Sequence, residues 1–594
     1  MFIIVSFMIR TQLFSRSTIF LACLFPLILV GQSSLNWSYV YNHAHNRVDQ
    51  IVDMAVDDLG YTYACGFTET ADGVVDILIV KLDPQGHLVW TQLFDGPAHG
   101  IDQAEALALD ASGNVFIAGK TQVDNQGDDF LILKYSANGQ LQWSQALNGS
   151  ANADDVAHDI AVFQPNGHVY ATGTVRQGDD LNQMALVKFS NNGQRLWTRD
   201  WGQAAGWTEA EDESHQLTLD NNENIWLFGV SDYDGDKSGI LLQFDAFGTQ
   251  QNIVWQYHIA ISHDTSLVAW ETITPVSLKS DEQGNIYVLT SIRGFDLAAP
   301  FTTESFQYMT FSRYEADWDL DWVTDQFAAP YQDCVPTDFC RDNLDNLYVC
   351  GYRDADPDSG KDFDWVIWKY DPAGNVLWEQ TYAGATQGAD KAFRIGVSAG
   401  LIPDLYVCGS ETTAEGTSWR LLTLDSELGT VRNSEHFYHT DSSLHVPMAM
   451  HVHPQGALTM AGYARGTGSQ HDGIVLRYGE YNQDGVGVNS TSSDAAFALV
   501  PNPANSNATL RWETLPRAGT YEVSLITNTG QRVWHQQCHW TQQTGRQSLD
   551  FSSLVPGMYL LLVSGERETY TQPIIIEPTF PAQKVRSCIF EAQN

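Results

Sequence analysis

The chain has 594 residues, of which 43% are hydrophobic and only 17% are charged, a balance typical of folded rather than disordered proteins. Acidic residues outnumber basic ones by 72 to 31, and the formal net charge is −41. Nucleic acids and anionic membranes are bound through lysine and arginine. We therefore predict no nucleic-acid partner and no association with an anionic lipid surface.

The N-terminus has the pattern of a secretory signal peptide over residues 1–31. Arg10 and Arg16 precede an apolar run at 19–30, and the small residue Gly31 suits a cleavage site. The run is too short to span a bilayer. No later stretch is long and apolar enough for a transmembrane helix, so we predict a mature chain without one.

A repeated unit follows the signal. The segment AEALALDASGNVFIAGKT (104–121) parallels AHDIAVFQPNGHVYATGT (157–174), and FLILKYSANGQLQWSQALNG (130–149) parallels WVIWKYDPAGNVLWEQTYAG (365–384). Each unit holds four short apolar runs separated by turn residues, which we name strands A to D. Four antiparallel strands in about 45–60 residues are typical of a β-propeller blade.

The number of units can be counted from the tryptophan of strand D, because it recurs at regular spacing along the chain. The first, Trp37, comes before the first strand A, whereas the last unit has no strand D of its own. We therefore predict an eight-bladed propeller over residues 32–480, in which 35–42 closes the last blade. The series is Trp37, Trp90, Trp143, Trp197, Trp255, Trp322 and Trp378, with Asn433 at the eighth position.

The composition changes after the last unit. Residues 481–496 are small and polar and predict a linker. Residues 497–578 contain six or seven short apolar runs, a pattern that predicts a small Ig-like β-sandwich, and 579–594 form a tail. The fold class we expect is therefore all-β, with an eight-bladed propeller followed by this sandwich.

The C-terminal region resembles the type A sorting domain of the type IX (Por) secretion system. The matching residues are Pro501, Asn502 and Pro503 after an apolar strand, Gly530 at a hairpin turn, and Pro556, Gly557 and Tyr559 before the last strands. The resemblance implies that residues 497–578 engage the type IX machinery and direct export. It also implies a secreted or cell-surface location, with attachment at the outer membrane.

The repeats over 35–480 in turn resemble the bacterial SBBP-type propeller repeats. The shared features are the Asp-x-x-Gly-Asn turn after strand A and the Leu-x-Trp of strand D. This resemblance implies the fold and leaves the activity open, because such repeats accompany many functions.

A series of aspartates precedes the end of strand A by eight residues in five of the blades. Strand A is the innermost strand, so these carboxylates are candidates for a ring at one mouth of the channel, where they would attract a cation or a basic ligand. The alternative is that each one accepts backbone N–H groups where the chain enters its blade. The series is Asp49, Asp102, Asp155, Asp212 and Asp390.

The sequence contains no recognisable catalytic constellation and predicts no cofactor, with calcium at the aspartates as the alternative. We therefore expect an exported binding or scaffold protein with an extracellular ligand, either protein or glycan. The competing hypothesis is a secreted propeller enzyme, either a quinoprotein-like dehydrogenase or a polysaccharide-active enzyme. Against the quinoprotein, the vicinal Cys-Cys pair usual in that family is missing from this sequence.

Overall fold

In the computed structural model, every regular element is a β-strand among the residues that the structure describes. These residues are 35–479 and 497–576, without the connecting residues 44–46, 72, 179–180, 203–210, 233–237, 257–259, 262–266, 297–305, 327–331, 356–361, 385, 387, 400–402, 415, 440–443, 454–456, 466–469, 501–506, 513–518, 527–531, 541–544, 552–553, 555–556 and 565–568. The predicted signal peptide, linker and tail thus lie outside them.

The first strand, β1 (Leu35–Tyr41), belongs to the last blade, and the next sixteen strands form blades 1 to 4. Each blade is a four-stranded antiparallel sheet in chain order. The strands are β2 (Asp49–Val56), β3 (Thr62–Ala71), β4 (Val74–Leu82) and β5 (Leu88–Phe94); β6 (Asp102–Leu109), β7 (Val115–Val123), β8 (Gly127–Tyr135) and β9 (Leu141–Leu147); β10 (Val156–Phe163), β11 (His168–Gln177), β12 (Leu181–Phe189) and β13 (Arg195–Trp201); β14 (Asp212–Leu219), β15 (Ile225–Ser231), β16 (Ser238–Phe244) and β17 (Gln250–Gln256).

Blade 5 has a fifth, two-residue strand, and blades 6 and 7 return to four strands. The last blade has only three strands of its own. The strands of blades 5 to 8 are β18 (Ala260–Ile261), β19 (Leu267–Ser280), β20 (Ile286–Asp296), β21 (Phe306–Tyr314) and β22 (Leu320–Gln326); β23 (Cys334–Arg341), β24 (Leu347–Asp354), β25 (Phe363–Tyr370) and β26 (Val376–Tyr382); β27 (Lys391–Val397), β28 (Asp404–Thr413), β29 (Gly416–Asp425) and β30 (Val431–Phe437); β31 (His445–Val452), β32 (Leu458–Arg465) and β33 (His471–Tyr478).

The eight-bladed propeller predicted from the repeats is confirmed, and its two ends are joined by hydrogen bonds. Strand β1 pairs antiparallel with β33, so that blade 8 has the order β1, β33, β32, β31. Asn36 Nδ2 also donates to the carbonyl of Gly479 at 3.2 Å. The pairing leaves no open strand edge between the last and first blades.

The core lies between adjacent blades rather than inside any one of them. Alternating side chains of neighbouring strands B and C fill each junction, as Ile77 and Ile79 of blade 1 do with Ile117 and Leu133 of blade 2. The junction between blades 8 and 1 is built in the same way. Burying both faces of a blade explains why its middle strands are nearly continuous runs of apolar residues.

Strand-D tryptophans latch six of the eight blades to the next one; in blade 4 the strand register places Asn252, and not the predicted Trp255, at this position. In the six whose side chains are described, the indole N–H donates to a carbonyl of the C–D turn of the following blade, at 3.0–3.3 Å. The ring covers a glycine of that turn, which has a positive φ and has no room for a Cβ. The tryptophans are Trp37, Trp90, Trp143, Trp197, Trp322 and Trp378.

The C-terminal region forms two antiparallel sheets, with the orders β34-β35-β38 and β37-β36-β39-β40. One cluster of buried side chains draws on both of them, including Leu510 and Leu549 from the first sheet and Val523 and Leu561 from the second. The strands are β34 (Phe497–Val500), β35 (Asn507–Trp512), β36 (Gly519–Ile526), β37 (Arg532–Trp540), β38 (Gly545–Asp550), β39 (Gly557–Ser564) and β40 (Thr569–Ile576).

Candidate functional site

The five predicted aspartates lie where the chain enters strand A, and each is at most 1% exposed. In four of them one carboxylate oxygen accepts the backbone N–H of the residue six positions earlier, in the connection from strand D. The donors and distances are His43 to Asp49 (2.8 Å), Gly96 to Asp102 (2.6 Å), Gly149 to Asp155 (2.5 Å) and Gly384 to Asp390 (2.8 Å). The corresponding donor for Asp212 lies outside the described residues.

The second carboxylate oxygen is bonded to strand B of the same blade. Asp155 accepts the N–H of Arg176 at 2.5 Å, and Asp390 accepts that of Thr412 at 2.6 Å. In blade 8, His445 takes the same position, and its Nε2 accepts the N–H of His439 at 3.0 Å. These contacts are those of the structural alternative, in which each carboxylate ties the entering chain to its blade.

Burial raises the pKa of Asp49, Asp102, Asp155 and Asp390, in Asp390 to about 6, although the backbone N–H groups partly oppose the shift. The predicted ligand-binding ring stays a prediction. Among the described residues, three acidic side chains offer carboxylate oxygens within 4.8 Å of one another, and of the predicted five only Asp102 belongs to this group. The others, Asp76 and Asp95, were not predicted from the sequence, although three other blades also have an aspartate near the start of strand C, at Asp129, Asp364 and Asp472.

A cleft of about 560 Å³ lies between blades 1 and 2, at the opposite end of their inner strands. Its walls come from the A–B turns of both blades and the C–D turn of blade 2. Lys81 crosses it: its Nζ donates to the carbonyl of Ala137 at 3.0 Å and lies 4.6 Å from the ring centroid of Tyr61. Burial lowers the pKa of Lys81. Carboxylates, an aromatic ring and the amide of Gln164 line the cleft around this lysine, and the amide is itself bonded to the backbone of Ala111 and Leu109.

A second charged group, on the A–B turn of blade 4, joins that blade to blade 3. Glu223 has a φ of 65°, at a turn position that blades 1, 2 and 5 give to glycine. Burial opposes its ionisation, but the hydrogen bonds from Tyr170, His168, Lys188 and Asn166 outweigh burial and lower the pKa of Glu223 to about 2. The two shortest bonds, from Tyr170 and His168, measure 2.6 Å.

Replacing Glu223 by glutamine is expected to lower the free energy of unfolding by about 1–2 kcal/mol at pH 7. Because the folded-state pKa lies below the ordinary 4.5, this stabilisation is complete above pH 4.5 and is lost as pH falls towards 2. Urea denaturation at pH 7, 4 and 3 should show the difference from wild type shrinking. Asp345→Asn is the matched control, since Asp345 holds the same turn position with a side chain that is 55% exposed. An E223Q deficit that does not change between pH 7 and 3 would contradict the assignment.

The residues of the predicted sorting motif are only partly described. Gly557 begins β39, and Tyr559 lies on the same strand, 8% exposed within the core that the two C-terminal sheets share. Pro501, Asn502, Pro503, Gly530 and Pro556 lie outside the described residues. Among the described residues, the motif therefore supplies core packing and a strand start.

Among known protein families, one matches the C-terminal region of the chain. Residues 498–577 match the model of the secretion system C-terminal sorting domain of the Por type. No curated protein matches the chain. In the parts of the chain that are described, no helix has the length and apolar character needed to cross a membrane.

Several solved structures are similar in outline. The polysaccharide lyase Uly1 is 8% identical, with 64% of this chain and 90% of that chain covered and a TM-score of 0.40. Sqt1 from Chaetomium thermophilum is 11% identical, with 76% and 100% covered and a TM-score of 0.43. A protein of unknown function from Dyadobacter fermentans is 10% identical, with 76% and 100% covered and a TM-score of 0.33. Scores this low carry no argument about function.

The match at residues 498–577 indicates secretion and cell-surface attachment, and it implies contact with the secretion machinery. The sequence had predicted both from the motif residues. The chain is an eight-bladed β-propeller protein that carries a type IX secretion system sorting domain.

Proposed function

We propose that this chain is a cell-surface binding or scaffold protein, in which the sorting domain delivers the propeller and the propeller binds an extracellular protein or glycan. The observation that carries the proposal is the sorting-domain match at the end of an eight-bladed propeller. Since the C-terminal domain serves export, the propeller is the part that acts outside the cell. Residues 497–578, as an Ig-like sandwich, are the part that engages the machinery.

The cleft between blades 1 and 2 is the surface that we assign to the ligand. Leu59 at its edge is 59% exposed, and Tyr61 presents an aromatic ring beside the acidic A–B turns. Pockets that combine an apolar surface with a few polar groups are typical of binding sites. Aromatic rings and carboxylates together suit a hydroxyl-rich glycan or a neutral to basic peptide segment better than an anion.

Binding by this cleft is tested with the full-length chain on a glycan array and by pull-down from the native cell surface. Leu59→Ser should weaken the retained interaction at least about tenfold, because it removes the exposed apolar contact without touching the core. Leu141→Ser is the matched control, since Leu141 is 47% exposed on β9, away from the cleft.

Two outcomes would count against the proposal. Equal binding by both variants would show that the cleft is not the binding surface. The absence of any retained glycan or surface protein would contradict the binding role itself. Release of shortened glycan products on the array would instead favour the polysaccharide-active enzyme, and quinone absorbance of the purified protein would favour the dehydrogenase.

A further inference from the structure

Three carboxylates meet where blade 1 adjoins blade 2. Asp76 is the third residue of β4, Asp95 directly follows β5, and Asp102 begins β6. One oxygen of each lies within 4.8 Å of an oxygen of the other two. The three residues are spread over 27 positions of sequence, and it is the fold that collects them at one point.

Backbone contacts hold this junction together. The N–H of Val75 donates to the carbonyl of Gly100 at 2.8 Å, and Val75 forms a parallel bridge with Ile101. The connection from strand D to the next strand A is therefore fixed against the start of strand C. Because Asp76 follows Val75 and Asp102 follows Ile101, the bridge places the two carboxylates side by side.

One oxygen of the Asp76 carboxylate has no hydrogen-bond donor in the protein. Its side chain is 7% exposed, and its Oδ1 is buried with no hydrogen-bond partner. Burial raises the pKa of Asp76, and the charges of Asp95 and Asp102 raise it further. A buried carboxylate oxygen without a donor costs free energy that a cation would offset.

We propose that Asp76, Asp95 and Asp102 bind a calcium ion at the junction of blades 1 and 2. Carboxylate oxygens are the ligands that Ca²⁺ takes, and its flexible coordination accepts three side chains with waters in the remaining positions. Mg²⁺ demands near-ideal octahedral geometry and gives up its waters reluctantly, so the more flexible coordination of Ca²⁺ suits three side chains from separate elements better.

The neighbouring groups leave oxygen lone pairs for the ion. His99 Nδ1 lies 2.6 Å from Asp95 Oδ2, so Asp95 keeps its second oxygen, and its side chain is 41% exposed to the waters that would complete the site. Asp102 accepts the N–H of Gly96 and of Gln122, one at each oxygen, and each oxygen keeps a further lone pair. Sites of this kind in extracellular modules have Kd values of about 10⁻⁴–10⁻³ M.

The next junction supplies a matched control. Asp129 takes the place of Asp76, is 6% exposed and also has an Oδ1 without a partner, and Asp155 takes the place of Asp102. The residue after strand D is Asn148 instead of an aspartate, and its Nδ2 donates to Gln126 and Asn152. Two carboxylates and an amide that is already bonded offer less charge and fewer oxygens than three carboxylates.

The experiment is calorimetric titration of the chelator-treated full-length protein with CaCl₂, with MgCl₂ as the competing ion. We expect Asp95→Asn and Asp76→Asn each to weaken calcium binding at least about tenfold. Asp129→Asn should leave the affinity unchanged. Because Asp95 is exposed, D95N also keeps the fold intact, which its melting temperature in chelator will verify.

Three results would overturn the proposal. The first is the absence of any heat of binding up to about 10 mM calcium, a concentration well above the Kd of such sites. The second is an unchanged calcium affinity in D95N. The third is a loss of affinity in D129N as large as that in D95N, which would place the ion at another site.

Discussion

Replacing Trp143 by alanine is expected to lower the free energy of unfolding by about 3 kcal/mol, the low end of the range for tryptophan truncation because the side chain is only partly buried. The ring packs against Phe116 of blade 2 and Phe189 of blade 3, with centroids 6.1 and 5.9 Å away, so it contacts apolar side chains of both blades. Its Nε1 donates to the carbonyl of Asn191 at 3.1 Å. Truncation therefore removes packing at a junction between blades, and chemical denaturation will measure the resulting loss in the free energy of unfolding.

Two further variants divide this effect into its parts. Trp143→Phe keeps a ring but loses the hydrogen bond, and should cost about 1 kcal/mol. Gly193→Ala attacks the other side of the contact, since Gly193 has a φ of 83° and its Cβ would stand 2.6 Å from Trp143 Cγ. Leu141→Ala on the same strand is 47% exposed in the wild type and should change stability by less than about 0.5 kcal/mol. If W143A and L141A unfold alike, the tryptophan latch has no energetic role.

Replacing Arg477 by methionine is expected to cost about 3–4 kcal/mol, because the guanidinium bonds blade 8 to blade 1 in the core of the junction. Arg477 is 1% exposed. It donates to the carbonyl of Gly60 at 2.9 Å and to the hydroxyl of Thr62 at 3.0 Å, and it lies over the Trp37 ring at 5.2 Å. Methionine keeps the apolar stem and leaves these acceptors unpaired.

The control for this prediction is Lys134→Met, at the same strand position in blade 2. Lys134 Nζ donates to the carbonyl of Asn191 at 3.0 Å and also bonds that residue's side chain. We expect K134M to cost about 1–2 kcal/mol, less than R477M, because Arg477 joins the two ends of the ring and satisfies more acceptors. Equal melting temperatures for the two variants would show that the closing junction is no stronger than an internal one.

The blade count was within reach of the sequence because it depends on local patterns. Alternating apolar runs, turn residues and the spacing from Trp37 to Trp378 all repeat within one unit. The partners of those tryptophans could not be found in this way, since each indole reaches a carbonyl 47 to 50 residues further on, in another blade. The eighth position also shows that the pattern tolerates exceptions: Asn433 bonds Glu435 within its own strand.

The candidate sites were predicted less completely than the fold. The aspartate series was recognisable because it keeps a fixed distance from the end of strand A. The hydrogen bond that each of these aspartates accepts from the backbone N–H six residues earlier is equally local. The grouping of Asp102 with Asp76 and Asp95 was not, because it needs the position of one blade against the next. In blade 5, residues 291–310 depart from the sequence pattern of the other units, yet 291–296 and 306–310 extend strands β20 and β21 of its sheet.

The pairing of β1 with β33 also sets an order for folding. The first strand of the ring cannot find its partner until the last strand has been synthesised and translocated, so a partial chain exposes a blade edge at each end. Closing a loop of this length costs conformational entropy before any of its contacts form, which makes ring closure a late and slow step. A chain held as an incomplete ring presents backbone that a chaperone, or another copy, can capture during its passage through the envelope.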